Sequence, residues 1–251
     1  MSSRFIKQTA IISGGADGLG KGIALQIAEE GGNVVLMDNN QSKLNATVSE
    51  FASQGFQVMG ILADVSKEED VKKVFRDAEA QFGQIHVMVN CAGIVGPTST
   101  KITDYASEDF DRLYQVNQKG TYLMTKYAIL AMEKHHYGRI LLLASMAGKE
   151  GNPGMIGYSA SKGAVISIIK AIGKEYATSG IAINGLAPAV IKTAMNADTD
   201  PKQLEYMVAK IPMGRLGEIE EVAKISAWIV SPECTFTTGF LFDISGGRAT
   251  Y

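Results

Sequence analysis

The sequence predicts an α/β protein: a seven-stranded parallel sheet with helices on both faces. Three observations carry this. Short apolar runs alternate with helical patterns from end to end. The runs are almost continuously apolar, as strands covered on both faces must be. No Pro/Ser-rich linker, repeat or low-complexity stretch divides the 251 residues, so the alternation reads as a single domain, 1–251.

The elements follow in order. Thr9–Ser13 is an apolar strand ending in glycines. Lys21–Glu30 reads as a helix with Ile23, Ile27 and Ala28 on one face, stopped by Gly31–Gly32. Asn33–Met37 is a strand that ends at Asp38, Gln41–Ser53 is helical and Phe56–Leu62 is extended. Lys67–Phe82 is a charged helix whose apolar face is Val71, Val74 and Phe75. Ile85–Val89 is the fourth strand. Helices over Ser107–Tyr114 and Thr121–Lys134 precede a strand at Arg139–Ser145. A long helix at Gly157–Ala177, a strand at Ile181–Leu186, a helix at Glu218–Val230 and a last strand at Phe240–Ile244 complete the rhythm.

Composition excludes several classes. Charge is balanced, with 24 Lys+Arg against 26 Asp+Glu, so no basic field favours nucleic acid or an anionic membrane. No apolar run approaches the length of a membrane span. Cys91 and Cys234 cannot form a disulfide framework, and neither makes a metal-ligand pattern with His86, His135 or His136. No metal is expected. Met1–Gln8 lacks a long apolar stretch, which makes the cytoplasm the expected location.

Ser13–Gly20 reads Ser-Gly-Gly-Ala-Asp-Gly-Leu-Gly between the first strand and the first helix. Glycines allow a sharp turn and close approach of backbone to a pyrophosphate, and the helix N-terminus attracts that anion. Gly14, Asp17, Gly18, Leu19 and Gly20 are therefore dinucleotide-binding candidates. The G-x-x-x-G-x-G spacing is not the commonest fingerprint, and glycine clusters also arise for purely steric reasons. Asp38 adds weight. It ends the second strand about twenty residues further on, where an acid accepts from adenosine ribose hydroxyls. A 2′-phosphate would be repelled there, Asn39 and Asn40 offer it no cation, and Asp17 adds negative charge; NAD is expected over NADP. Asp64–Val65 follows the third strand, where Asp64 either accepts from the adenine amino group or caps the next helix.

Tyr158 and Lys162 stand four apart on a helix and share a face. A free tyrosine, with a pKa of about 10, is a poor base at neutral pH. A neighbouring ammonium favours the phenolate, and a positively charged nicotinamide favours it further. The pair then acts as a base for alcohol oxidation or an acid for ketone reduction. Ser145, thirteen residues upstream, can hold the substrate oxygen. Tyr-x-x-x-Lys also occurs by chance, with the tyrosine snorkelling at a surface.

Taken together these residues identify a family. Ser13–Gly20, Asp64–Val65, Asn90–Gly93, Asn117 in Val-Asn-Gln-Lys-Gly, Ser145, Tyr158-Ser-Ala-Ser-Lys162 and Asn184 through Thr193 resemble the short-chain dehydrogenase/reductases over essentially the full length. The resemblance implies a single Rossmann-like domain with strand order 3-2-1-4-5-6-7. It implies a catalytic set of Asn117, Ser145, Tyr158 and Lys162, in which Asn117 holds a water that links Lys162 to solvent. Asn90, Ala92 and Gly93 would line the cofactor, Pro188, Ile191 and Thr193 would meet the nicotinamide end, and Lys162 would bond its ribose. A homotetramer is likewise implied. Ser13, Cys91, Ala189 and Ser245 depart from the usual Thr, Asn, Gly and Asp, and Ala189 should keep φ negative.

Segment 193–221 corresponds to a lid, containing Met195, Pro201, Tyr206, Met207, Pro212 and Met213, which also reads as core packing of short helices. Lys149, Glu150 and Asn152 follow Ser145 in what reads as a loop, and Arg248 sits on a glycine hinge near the terminus. Arg binds carboxylates bidentately. Ser145, Glu150, Tyr158 and Arg248 are the substrate-binding candidates. These stretches resemble those of 2-keto-3-deoxy-L-fuconate and L-rhamnonate 4-dehydrogenases, which implies a sugar-acid substrate. A 3-oxoacyl-carrier-protein reductase, or a non-catalytic dinucleotide-binding protein, are the competing readings.

Overall fold

The computed structural model describes residues 3–193, 201–249 and 251, with the side chains of 201–203 left aside. Seven strands form one parallel sheet: β1 Thr9–Ser13, β2 Asn33–Asp38, β3 Val58–Leu62, β4 Val87–Asn90, β5 Gly138–Leu143, β6 Ile181–Pro188 and β7 Leu241–Ile244. Their order is β3-β2-β1-β4-β5-β6-β7, the order that the family resemblance implies. Every residue of β1, β4 and β5 is buried, which is why these runs carry no polar alternation.

The helices are α1 Gly18–Glu29, α2 Gln41–Ser53, α3 Glu68–Phe82, α4 Ser107–Leu113, α5 Gly120–Met132, α6 Met146–Glu150, α7 Ile156–Glu175, α8 Pro201–Ala209 and α9 Ile219–Ile229. They divide between two cores. Ile23 and Ile27 of α1, Leu44 and Phe51 of α2 and Val222 of α9 cover one face of the sheet. Val71 and Val74 of α3, Leu123 and Met124 of α5 and Val165 and Ile169 of α7 cover the other. None of the helices among the described residues is long and apolar enough to cross a membrane.

The sheet reverses its winding between β1 and β4, and ligands of open α/β sheets bind at the carboxyl ends of strands beside such a switch point. Register brings the polar strand ends together there: Ser13 of β1 lies opposite Met37 of β2 and Asn90 of β4. Asp38 follows Met37 on the same edge.

Several boundaries differ from the sequence expectation, each for a local reason. α1 begins at Gly18, not Lys21, because Asp17 caps it from within the glycine turn. Ser145 is not a strand residue: β5 stops at Leu143, and Ser145 is the N-cap of α6, a short helix in the stretch read as a loop. The two helices expected around 107–134 are joined by a π-helical turn, Tyr114–Lys119, with buried Asn117 inside it.

Candidate active site

The glycine turn is shaped by close approach. Gly14 has φ +63, and a Cβ there would lie 3.0 Å from the Ala92 nitrogen. A Cβ on Gly20 would run into the Gly14 carbonyl oxygen. Gly18 also has positive φ, and its missing Cβ would meet nothing within 4 Å, so open space adjoins the start of α1. The N–H groups of Gly18, Leu19 and Gly20 open that helix, an end suited to an anion. At the rim, the Asp38 carboxylate accepts from the Ala16 N–H (3.2 Å) and the Asn40 N–H (2.9 Å). These features fit a dinucleotide: a backbone cradle for phosphates, with an acid beside it.

Asp64 does not cap α3, whose N-cap is Lys67; its carboxylate accepts from the Ser66 N–H (2.9 Å) and hydroxyl (2.7 Å). Val65 packs where a Cβ on Gly120 would sit. Asn39 and Asn40 bring no cation, but α2 does. Lys43, one turn into α2, pairs with Asp17 at 2.6 Å.

Behind the turn runs a buried hydrogen-bond chain. Ser13 donates to Asn90 Oδ1 (2.5 Å), and Asn90 Nδ2 donates to Thr121 Oγ1 (2.9 Å). Thr121 donates to the Asn117 carbonyl (2.6 Å). Asn117 Nδ2 donates to Ser161 Oγ (3.0 Å), whose hydroxyl donates to the Tyr158 carbonyl (2.8 Å). The Asn117 amide also bonds both backbone groups of Ile94 (2.8 and 2.9 Å), next to Gly93. Thr121 and Ser161 did not stand out in the sequence. Thr121 lies one helical turn after Asn117, the spacing that a hydroxyl needs to reach the fourth carbonyl back.

Tyr158 and Lys162 share one face of α7. Lys162 is buried, and its Nζ donates to the Leu143 carbonyl (2.7 Å), 5.9 Å from the Tyr158 ring centroid. Burial pulls its pKa down to about 8. Burial pushes the Tyr158 phenol up, and the Ser145 hydroxyl opposes that shift. Ser145 thus joins Lys162, the group expected from the sequence, beside the tyrosine. Ser145 Oγ also accepts from the Ala147 N–H (3.1 Å), which fixes its side chain as the cap of α6. Cys91, near Lys162, is held fully as a thiol, its pKa pushed up to about 12 by burial.

Pro188 ends β6, and Ala189 keeps φ negative while its N–H bonds the Ile244 carbonyl (3.0 Å). Ile191 is buried and bridges to Gly217; Thr193 is partly buried. A cavity of about 360 Å³ opens between Ala189, Ile191, Met213, Arg215 and Asp243, and neither Ser145, Tyr158 nor Lys162 lines it. Tyr206 and Met213 are exposed at 59% and 69%, so core packing does not account for them. Met195 lies outside the described residues. At the tail, Arg248 donates through Nε (2.9 Å) and Nη2 (2.5 Å) to Glu150 Oε2, and Nη2 reaches Asn152 Oδ1 at 3.4 Å. Asn152 N–H in turn bonds Ser159 Oγ (3.0 Å), beside Tyr158. Lys149 pairs with Asp243 (2.8 Å) and with the Tyr251 carbonyl oxygen.

The family described as Enoyl-(Acyl carrier protein) reductase matches residues 14–249. The chain belongs to the short-chain dehydrogenase/reductase family. It is 39% identical, over 100% of its length and 98% of the relative's, to 2-dehydro-3-deoxy-L-rhamnonate dehydrogenase (NAD(+)) of Sphingomonas sp. (strain SKA58). It is 33% identical, over 96% and 97%, to 3-oxoacyl-[acyl-carrier-protein] reductase FabG of Thermotoga maritima. Among solved structures, an NAD+-bound xylitol dehydrogenase superposes with a TM-score of 0.92 at 29% identity, covering 97% of this chain and 100% of that one. This short-chain dehydrogenase/reductase is thus an oxidoreductase using an NAD-type dinucleotide. Its Ser13 keeps the hydroxyl that a family threonine would supply, since that oxygen also accepts the Ala92 N–H (3.2 Å).

The buried lysine sets a pH signature. Its pKa of about 8 lies below the ordinary lysine value, so between the two the unfolded chain binds more protons than the folded one, and stability rises with pH across that window. Below pH 8 the burial cost is constant. Urea unfolding at pH 7.5 and 9.5 should show a gain on the order of 1–2 kcal/mol in the wild type that Lys162→Met lacks. Equal slopes in both proteins would refute the assignment.

Proposed function

We propose that the enzyme interconverts a secondary alcohol and a ketone with NAD, Tyr158 exchanging the proton, and that its substrate is a sugar acid of the 2-keto-3-deoxy-aldonate kind. The observation that supports the reaction is that the Ser145 hydroxyl bonds the Tyr158 phenol while Lys162 Nζ lies 5.9 Å from the Tyr158 ring centroid. The Tyr158 oxygen takes the hydroxyl proton during oxidation and returns it during reduction. Ser145 hydrogen-bonds the same substrate oxygen. Lys162, released from the Leu143 carbonyl, stabilises the phenolate and holds the nicotinamide ribose. Asn117 keeps a water in line between Lys162 and solvent. When bound, the nicotinamide accepts or gives the hydride.

Around that centre, Asp38 accepts from the adenosine ribose, Asp64 and Val65 border the adenine, and Asn90, Ala92 and Gly93 line the middle of the cofactor. Pro188, Ile191 and Thr193 hold its carboxamide end. Segment 193–221 serves as a lid whose exposed Tyr206 and Met213 close over substrate. Arg248 supplies the cation for the substrate carboxylate and Glu150 an acceptor for a hydroxyl. The relative named for an NAD(+)-linked sugar-acid dehydrogenase supports this substrate class over the carrier-protein thioester of the FabG relatives. Asp38 also speaks against NADPH. The chain works in the cytoplasm, in carbohydrate metabolism, as a homotetramer; half-exposed Tyr122 and Leu130 border an apolar groove of about 490 Å³ between α5 and α7 that a second copy would cover.

Tyr158→Phe should lower turnover by about 10³-fold while NAD binding stays within a few-fold, by absorbance kinetics and calorimetry. Undiminished turnover ends the mechanism. Arg248→Ala should raise KM for a 3-deoxy-2-keto sugar acid roughly tenfold, and not for a neutral secondary alcohol. A parallel change for both substrates removes the carboxylate assignment. Leu130→Glu should shift the particle mass in sedimentation to a smaller oligomer; an unchanged mass moves the interface elsewhere.

A further inference from the structure

The cavity of about 360 Å³ at the carboxyl ends of β6 and β7 lies outside the proton-transfer chemistry, since Ser145, Tyr158 and Lys162 are absent from its walls. Its size is within the range of small-molecule sites, about 300–1,000 Å³. One wall is polar: Asp243 of β7 and Ser245, two residues on, both line it. The facing wall is apolar, formed by Ile191, Ile211 and Met213. The walls are held together at the tail. The Met213 N–H bonds the Gly246 carbonyl (3.0 Å), and a Cβ on Gly246 would lie 2.5 Å from Ile211 Cγ2, so only glycine lets them approach.

Asp243 has acceptor capacity to spare. A carboxylate offers about four lone-pair positions. Its Oδ2 accepts from Lys149 Nζ (2.8 Å), while Oδ1 is covered and makes no hydrogen bond among the described residues. A covered acceptor left unpaired is costly. The carboxylate torsion is broad, so a modest rotation turns either oxygen toward the cavity. Ser245 Oγ accepts from the Ala249 N–H (3.1 Å) and donates to none of the described residues, so its proton is available to a ligand oxygen. The charges balance as well. Lys149 matches Asp243, and Arg215 gives both Nη groups to the Glu221 carboxylate (2.8 and 2.7 Å). An ion entering here must break one of these pairs; a neutral hydroxyl need not.

We propose that this cavity is a second ligand site, separate from the proton-transfer centre, and that it takes a neutral polyhydroxyl compound, a sugar alcohol. One hydroxyl donates to Asp243 and another accepts from Ser245, while the C–H side of the carbon chain lies on Ile191, Ile211 and Met213. The ligand thereby joins the end of the sheet to segment 193–221, which carries Ile211 and Met213. The site is independent of which alcohol the proton-transfer centre oxidises.

The test is a ligand-observed NMR titration of the full chain with glucitol under saturating NADH, which keeps the cofactor reduced so that no alcohol turns over. The wild type should bind glucitol, and excess acetate should not displace it. Asp243→Leu should weaken binding about tenfold or more, and Asp243→Asn, which keeps an acceptor oxygen, by no more than about threefold. Ser145→Ala should leave it unchanged. Unaltered NADH affinity shows that each variant is folded; should Asp243→Leu fail this, Ser245→Ala replaces it and should weaken glucitol about threefold or more. No binding by the wild type, displacement by acetate, or full affinity in the Asp243→Leu or replacement variant overturns the proposal. Binding that is lost in Ser145→Ala yet kept in Asp243→Leu places the polyol at the proton-transfer centre and overturns it too.

Discussion

The buried hydrogen-bond chain from Ser13 through Asn90, Thr121, Asn117 and Ser161 to the Tyr158 carbonyl is the constraint on which the site depends. It joins four elements that the sheet order brings together but does not itself fix: the end of β1, the end of β4, the α5 entry and α7. Each side chain in it is buried, so each must be satisfied or cost free energy comparable to a lost hydrogen bond. A polar chain of this kind is stringent. It holds only if the glycine turn and α7 keep one relative position. The π-helical turn makes this possible by setting Asn117 inward at a point where a regular helix would run on.

The same burial that makes the chain stringent sets the protonation states. Lys162 is drawn down toward about 8 and Cys91 up to about 12, each favouring its neutral form. Tyr158 is likewise pushed toward its neutral form. What makes a phenolate accessible in such a place is a set of neighbours that reward the charge when it forms. Ser145 is one, and its aim is secured because its oxygen is already tied to the Ala147 N–H at the head of α6. Electrostatic help that is fixed in advance costs no reorganisation during reaction.

The fold was legible because a doubly covered parallel sheet writes its strands as unbroken apolar runs, and the seven runs fall where the strands are. Asp38 and the Tyr158–Lys162 spacing were legible for a related reason: position along a strand or helix determines which edge or face a side chain takes. What was not legible depended on contacts distant in sequence. Nothing local marks Ser145 as a helix cap, since α6 is five residues long and is held by α7, where Gly148 packs on the backbone of Lys162 and Gly163. Lys43 was hidden for the opposite reason. It lies in the first turn of α2 and meets Asp17, 26 residues away in sequence, rather than standing beside Asp38. The exposure of Tyr206 and Met213 was not legible either, because methionine and tyrosine are common core residues by composition.

Relatives about one-third identical act, by their names, on a sugar acid and on a carrier-protein thioester, so the parts that choose substrate must be separable from the parts that do chemistry. Asn117 and Lys162 are buried, where a changed residue disturbs packing and polar satisfaction together. The tail and α6 meet through ion pairs instead, Arg248 with Glu150 and Lys149 with Asp243. Their lysine and arginine side chains are largely covered while the acids stay partly exposed. Such contacts can be exchanged without opening a core. The sequence's last glycines reinforce this: Gly246 and Gly247 both take positive φ, turning the chain back so that Arg248 reaches the segment following Ser145. An exchange at these ion pairs leaves the buried chain around Asn117 and Ser161 untouched.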